Sequence, residues 1–210
     1  MSTERDRSDR PVPGSVDPRL ERWLERLVSA PGLTAIRDPA RAYEVHVEQS
    51  LAALTFVERY PGTIVDVGSG GGAPGIPLAA ALPDREVVLL EATRRKCDFL
   101  EAVALDFPNV RVVYGRAEEQ EVDRFGVAIA KALAPPPVAA EWCLPLVAPG
   151  GAAILLAGPS ADGGAVARVA ARLGGGEPER HDGILLVPKL EPTPAGFPRR
   201  PGVARKRPLA

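Results

Sequence analysis

The strongest constraint on the fold is a glycine-rich segment at residues 66–75, which follows a short apolar run at Ile64–Val67. A helical pattern begins immediately after it, near Gly75. Glycine lets the backbone turn tightly and come close to a ligand, and the start of a helix offers free N–H groups. The segment therefore predicts a strand, a loop and a helix that together hold a small ligand.

Apolar runs and helical patterns alternate through the rest of the chain. Strands are predicted at residues 64–67, 86–90, 110–113, 127–130, 152–156 and 184–187. Helices are predicted at residues 75–82, 94–106, 137–146 and 161–173. Strands that alternate with helices favour a Rossmann-like α/β fold, in which a mainly parallel sheet is covered by helices on both faces.

Four segments are predicted, which together form effectively one domain. Residues 1–17 are polar and proline-rich, and we expect them to be disordered. Residues 18–60 form an N-terminal helical extension whose second helix starts with Asp38 as N-cap and runs to about Tyr60. Residues 61–190 form the α/β core, and residues 191–210 form a basic C-terminal tail.

Composition narrows the class of protein. Cys97 and Cys143 are far apart without CxxC spacing, and the chain has only two histidines, so we expect no disulfide framework and no metal site. No apolar run is long enough for a membrane helix, no secretory signal is visible, and we expect a cytoplasmic monomer that does not bind membranes. Residues 189–210 hold six basic residues and one acidic residue, a local charge of +5 that favours a polyanionic partner.

The acid at the start of the glycine segment distinguishes between ligands. Gly70, Gly72 and Gly75 fit the dinucleotide pattern G-x-G-x-x-G, which also occurs in other nucleotide folds. The carboxylate of Asp66 would repel a pyrophosphate but attract the cationic ammonium and sulfonium groups of S-adenosylmethionine. Asp66, Gly68, Gly70 and Gly72 also form the D-x-G-x-G-x-G pattern of class I methyltransferases. An NAD-type ligand and a turn without a ligand stay open as alternatives.

Three further charged residues follow predicted strands. Glu91 ends the second strand, where a carboxylate can accept hydrogen bonds from ribose hydroxyls. Glu118 follows the third strand and either meets an adenine amino group or simply begins a short helix. Lys131 ends the fourth strand and is a candidate for positioning the substrate, with a solvated lysine as the alternative. The loop after it has neither a cysteine nor an N-P-P-Y motif, which disfavours methylation of pyrimidine C5 or exocyclic amines.

Four motifs together resemble one family. They are LTAIRD at residues 33–38, HVEQSL at 46–51, DVGSGGGAPGIPL at 66–78 and TPAGFPRRPG at 193–202. The chain is similar over residues 20–209 to the bacterial small-subunit rRNA guanine-N7 methyltransferases, also called glucose-inhibited division protein B. The resemblance implies a class I fold that uses S-adenosylmethionine to methylate N7 of a guanine in the 16S rRNA loop near the decoding centre.

The resemblance also implies site residues. Cofactor contacts fall on Gly68, Ala73, Ala117, Glu118 and Lys131. Candidates for contact with 16S rRNA, free or in the small ribosomal subunit, are Arg37, His46, Phe197, Arg199, Arg200 and Lys206. The basic tail could instead be a solvated run, and His46 a surface or core histidine. Guanine N7 has an in-plane lone pair and no proton, so the reaction needs positioning rather than a general base.

The chain departs from the family pattern on the expected substrate side. Lys131 replaces an arginine, Gln49 an aspartate and Ala157 a lysine, and the stretch at Pro31 is shortened. Lysine cannot form the two-pronged contact of a guanidinium. Two alternatives follow: a relative that binds cofactor or RNA with weakened turnover, or a class I methyltransferase with a small-molecule or protein substrate.

Overall fold

The computed structural model describes residues 17–210, so the predicted disorder of residues 1–16 lies outside the described part of the chain. The chain begins with α1 (Pro18–Ser29), whose N-cap Asp17 accepts a hydrogen bond from the Arg19 amide. No helix within the described range is long and apolar enough to cross a membrane.

The prediction of one continuous second helix from Asp38 to about Tyr60 is wrong. It divides into α2 (Pro39–Tyr43), a π-helical turn (Glu44–Glu48), α3 (Gln49–Leu51) and α4 (Leu54–Val57). Asp38 caps α2 as predicted, through its bond with the Arg41 amide. The Ser50 hydroxyl donates to the His46 carbonyl at 2.7 Å. Side-chain bonds of this kind often bend helices.

The remaining elements alternate as expected. They are β1 (Ile64–Val67), α5 (Gly75–Ala81), β2 (Val87–Glu91), α6 (Arg94–Ala104), β3 (Val110–Tyr114), β4 (Phe125–Lys131), α7 (Pro136–Cys143), β5 (Val147–Leu156), α8 (Gly163–Ala171), β6 (Glu179–His181), β7 (Ile184–Pro188) and α9 (Val203–Lys206). Two of these, β6 and α9, were not predicted. Both are short, and neither carries a run of apolar residues that marks a buried element.

The sheet has seven strands in the order β3-β2-β1-β4-β5-β7-β6. The first five are parallel, and β7 is antiparallel to both β5 and β6. The predicted mainly parallel α/β fold is therefore confirmed. The chain moves outward in one direction from β1 and in the other from β4, so a crevice opens between the carboxyl ends of these two strands.

Both faces of the sheet are buried under helices. Ile64 and Ile129 belong to the core on one face, and Val65 and Ala128 to the core on the other. Trp23 of α1 is 1% exposed and lies in the first of these cores. The N-terminal extension therefore packs directly on the layer that supports the glycine loop.

The C-terminal tail is anchored where it leaves β7. The Lys189 ammonium is buried and donates to the carbonyls of Leu144 and Leu173 at 3.1 and 2.7 Å, and to the Thr193 hydroxyl at 2.8 Å. The amide and hydroxyl of Thr193 in turn bind the Asp123 carboxylate. Burial lowers the pKa of Lys189, and the nearby charge of Asp123 opposes that shift. These bonds fix the start of the tail against the core.

Candidate cofactor and substrate site

The glycines after β1 are needed for two different reasons. Gly68 has a φ of +70°, and a Cβ there would lie 2.3 Å from the Cδ1 of Leu133. Gly70 has a φ of +57°, but its nearest neighbour to such a Cβ is 3.8 Å away, so the space beside it is open. At position 68 both the positive φ and the Leu133 side chain favour glycine, whereas at position 70 only the backbone conformation favours it.

The carboxyl group of Asp66 lies inside the loop. Asp66 is 1% exposed, and its Oδ2 accepts a hydrogen bond from the Gly75 amide at 3.0 Å. Its Oδ1 is buried and has no hydrogen-bond partner in the structure. Burial raises the pKa of Asp66 to about 7, although the bond from Gly75 opposes that shift. One oxygen thus closes the loop onto α5, and the other is a buried acceptor without a partner.

Glu91, at the end of β2, holds the backbone of the next turn. Its Oε2 accepts from the Gly70 amide at 3.0 Å, and its Oε1 accepts from the Thr93 amide at 2.8 Å. A carboxylate offers about four lone-pair sites, so two are free after these bonds. The side chain is therefore fixed in place and can still accept hydroxyl donors.

A cavity of about 230 Å³ lies at the carboxyl ends of the central strands. Four residues of the predicted cofactor set line it, namely Gly68, Glu91, Ala117 and Glu118. The other five residues of the set do not line it, namely Asp66, Gly70, Gly72, Ala73 and Lys131. Lining side chains that were not predicted include Lys96, Leu133 and Trp142. The pattern at residues 66–75 cannot reveal them, because they come from α6, from the loop after β4 and from α7.

Lys131 is held at the other side of the crevice by the N-terminal extension. Its ammonium donates to the carbonyl of Val45, within the π-helical turn. Burial lowers the pKa of Lys131 to about 8, and the charge of Asp66 opposes that shift. Half-buried His46 follows Val45, and its Nε2 lies 3.1 Å from the Thr34 hydroxyl. The pKa of His46 is lowered by burial and by the charge of Lys131, so these two groups share one environment.

Trp23 supports the glycine loop from the outside. Its Nε1 donates to the Gly71 carbonyl at 2.8 Å, and a Cβ on Gly71 would lie 2.3 Å from the Cδ1 of Leu27. Helical spacing identifies Trp23 and Leu27 as buried residues of α1. It does not reveal that they pack against a loop more than forty residues away.

The predicted RNA-contacting residues have different surroundings. Arg199 forms a two-pronged ion pair with Glu141, with both N···O distances at 2.6 Å, and half-buried Phe197 packs against the core on the Val65 face of the sheet. The guanidinium of Arg37 donates to the Val28 carbonyl. Arg200 and Lys206 are exposed. The guanidinium of Arg199 therefore points toward Glu141 and the core. The proposed RNA roles of these residues stay predictions.

No group of three metal-ligating side chains occurs among residues 17–210.

The strand order, the glycine loop after β1 and the acid that ends β2 together define the class I S-adenosylmethionine-dependent methyltransferase fold. A solved S-adenosylmethionine-dependent O-methyltransferase from Thermotoga maritima is similar, with a TM-score of 0.55 and 14% sequence identity. The match covers 70% of this chain and 66% of that one, and it concerns the fold alone.

Sequence relatives define the family within this class. Residues 19–170 match the family model described as rRNA small subunit methyltransferase G. A protein of that name from Salinispora arenicola (strain CNS-205) is 44% identical over 193 residues, covering 85% of this chain and 78% of the relative. One from Synechococcus elongatus is 38% identical over 200 residues, covering 84% and 82%. This chain belongs to the rRNA small subunit methyltransferase G family, which confirms the resemblance seen in its motifs.

Proposed function

We propose that this chain is an S-adenosylmethionine-dependent methyltransferase that methylates N7 of a guanine in 16S rRNA. The observation that carries the proposal is the cavity at the carboxyl ends of the central strands, where Gly68, Glu91 and Glu118 meet. Class I folds bind their ligands in this crevice. Membership of the family supports the choice of rRNA as substrate.

The residues in and around the cavity fit S-adenosylmethionine. Glu91 retains free lone pairs for ribose hydroxyls, and Glu118 can accept from an adenine amino group. The unpartnered Oδ1 of Asp66 suits an ammonium group, because a buried carboxylate oxygen without a partner is costly. We assign cofactor contacts to these three residues and to the loop from Gly68 through Gly70 and Gly72 to Ala73, with Ala117 beside the nucleobase.

The bound cofactor supplies an electrophilic methyl group, and the protein supplies orientation. The lone pair of guanine N7 needs no deprotonation, so Lys131 and His46 need not act as bases. Lys131 is held by the Val45 carbonyl and is assigned to positioning at the methyl-transfer side of the crevice. Well-oriented reactants can gain on the order of 7 kcal/mol relative to reactants free in solution.

The tail favours a polyanionic substrate. Arg200, Arg205, Lys206 and Arg207 are exposed, and none of them forms an ion pair with another residue in the described range. Gly202, which lies between Arg200 and Arg205 in the sequence, donates to Glu118 of the cavity. Such groups bind phosphates by releasing counterions. We assign the RNA side of the site to Arg200, Lys206, Arg37 and His46, in a monomer that acts in the cytoplasm.

Methyl transfer from labelled S-adenosylmethionine tests the proposal. The substrates are small ribosomal subunits, and 16S rRNA stripped of protein, both from cells that lack the endogenous enzyme. We expect label on N7 of one guanine, located by mapping the modified base. Label on an exocyclic amine or on protein would refute the guanine-N7 assignment.

A second candidate function is a relative that binds cofactor but has lost turnover. The bond from Lys131 to Val45 favours it, because the lysine is drawn toward the N-terminal extension. Calorimetry on the same preparation separates the two functions: this candidate predicts cofactor binding with no label in either RNA substrate.

A further inference from the structure

The tail arginine nearest the core makes a contact that binding of RNA would not require. The Arg199 guanidinium forms two parallel hydrogen bonds with Glu141 of α7, and Glu141 is 3% exposed. The Nη2 of Arg199, which donates to Glu141, also donates to the Arg207 carbonyl at 2.9 Å. Buried two-pronged pairs of this kind fix geometry, because both planar groups must be oriented together. Arg199 therefore fastens the tail to the helix that also carries Trp142 of the cavity.

Three residues further along, the tail touches the cavity itself. The Gly202 amide donates to Oε1 of Glu118 at 3.1 Å, and Gly202 has a φ of +80°. Glu118 lies in a short 3₁₀ turn (Ala117–Glu119) and lines the cavity. Its Oε1 is thus oriented by a backbone group of the tail, which leaves Oε2 for a ligand.

From these two contacts we infer that the docked tail is a working part of the cofactor site. Arg199 is a positioning residue: it holds residues 199–202 so that the Gly202 amide orients Glu118 toward the amino group of the adenine. The inference rests on the proposed function, since it assumes an adenine nucleoside in this cavity. It assigns the tail a role in selecting the nucleobase, separate from any contact with RNA.

The test compares two ligands that differ at one group. S-adenosylhomocysteine carries the adenine amino group, whereas S-inosylhomocysteine carries a carbonyl oxygen in its place. Such an oxygen faces the Glu118 carboxylate with no proton to donate, so the unaltered protein should prefer S-adenosylhomocysteine by about tenfold or more in calorimetric titrations. General destabilisation lowers the affinity for both ligands by the same factor, but a misplaced Glu118 lowers their ratio.

Arg199→Ala should bring the affinity ratio of the two ligands close to one, and Arg199→Lys should retain part of it because one contact with Glu141 survives. Arg111→Ala is the control. It removes an arginine from an exposed pair with Glu86 at the opposite end of β3, and it should leave the ratio unchanged. An Arg199→Ala protein that binds S-adenosylhomocysteine with the full preference of the unaltered protein would overturn the inference.

Hydrogen exchange on the unaltered protein avoids any variant that folds poorly. Because coupling between sites is reciprocal, S-adenosylhomocysteine should slow exchange of amides in residues 197–209. Unchanged exchange in that segment, with bound ligand, would also overturn the inference. Failure of the unaltered protein to bind either ligand is a different result, because it would refute the proposed function first.

Discussion

The two sides of the crevice are held in different ways. On the β1 side, the loop at residues 66–75 is fixed by backbone amides, through Asp66 to Gly75 and Glu91 to Gly70. On the β4 side, Lys131 depends on one bond to a carbonyl of the N-terminal extension. Both arrangements join side chains to backbone groups, but the first combines two carboxylates with glycines of positive φ, whereas the second rests on one lysine. The departures from the family pattern at Lys131, Gln49 and Ala157 lie outside the glycine loop.

The largest effect should come from Trp23, which supports the rigid side. Trp23→Ala removes a buried indole and should lower the free energy of unfolding by about 3–5 kcal/mol. Trp23→Phe keeps most of the packing and loses the bond to Gly71, so it should cost only about 1 kcal/mol. Urea denaturation of both variants measures the difference. Equal and small losses would show that α1 does not support the loop.

The next largest effect concerns cofactor affinity at Gly70. Gly70→Val places a branched side chain in the open space beside the loop, and S-adenosylmethionine affinity should fall about a hundredfold, equivalent to roughly 2.7 kcal/mol. Gly150→Val is a matched control, because Gly150 also has a positive φ, +88°, and nothing within 4 Å of a Cβ. Both variants carry the same kind of backbone strain, about 1–3 kcal/mol. Calorimetry should find the binding loss only at position 70; retained affinity there would remove the loop from the cofactor site.

The smallest effect is a pH dependence of stability and of cofactor affinity. It connects the two sides of the crevice, because it involves Asp66 on one side and Lys131 on the other. The folded pKa of Asp66, about 7, exceeds its usual value of 3.8, so the folded state keeps a proton that the unfolded state has lost. Stability from this group therefore falls as pH rises from 3.8 to about 7 and is constant above that range. A cationic cofactor favours the ionised carboxylate of Asp66. The affinity for the cofactor should therefore rise as the pH rises to about 7.

Asp66→Asn should remove this pH dependence and weaken cofactor binding about tenfold at high pH, the loss expected for one hydrogen bond to a charged group. Lys131→Met serves as the companion variant. It removes the cation that favours ionised Asp66, and the rise in affinity should move to higher pH. Calorimetric titrations across this range would contradict the assignment if the affinity of the unaltered protein did not change with pH.

Local sequence patterns determined most of the core. Apolar runs such as Ile64–Val67 and the glycines after them act within a few residues, so β1, the loop and α5 were predictable. The break after Leu51 was not, because no proline or glycine marks it in the sequence. β6 (Glu179–His181) was missed because its three residues are polar, and it forms by pairing with β7.

The same distinction between local patterns and distant contacts applies to the site. The positions of Gly68 and Glu91 at the cavity were predictable, because both residues lie at strand ends. The bond between Gly71 and Trp23 and the pair between Arg199 and Glu141 join residues 48 and 58 positions apart, and no local pattern carries that information. Arg199 was assigned to RNA because its charge was visible in the sequence, whereas its buried partner was not.

The chain has two tryptophans, and both lie beside the proposed cofactor site. Trp142 lines the cavity, and Trp23 is hydrogen-bonded to the loop that closes it. Indole fluorescence responds to changes in polarity and contact around the ring, so the protein contains its own optical probe of occupancy. Trp23→Phe leaves Trp142 as the sole indole, which separates filling of the cavity from movement of the loop without any added label.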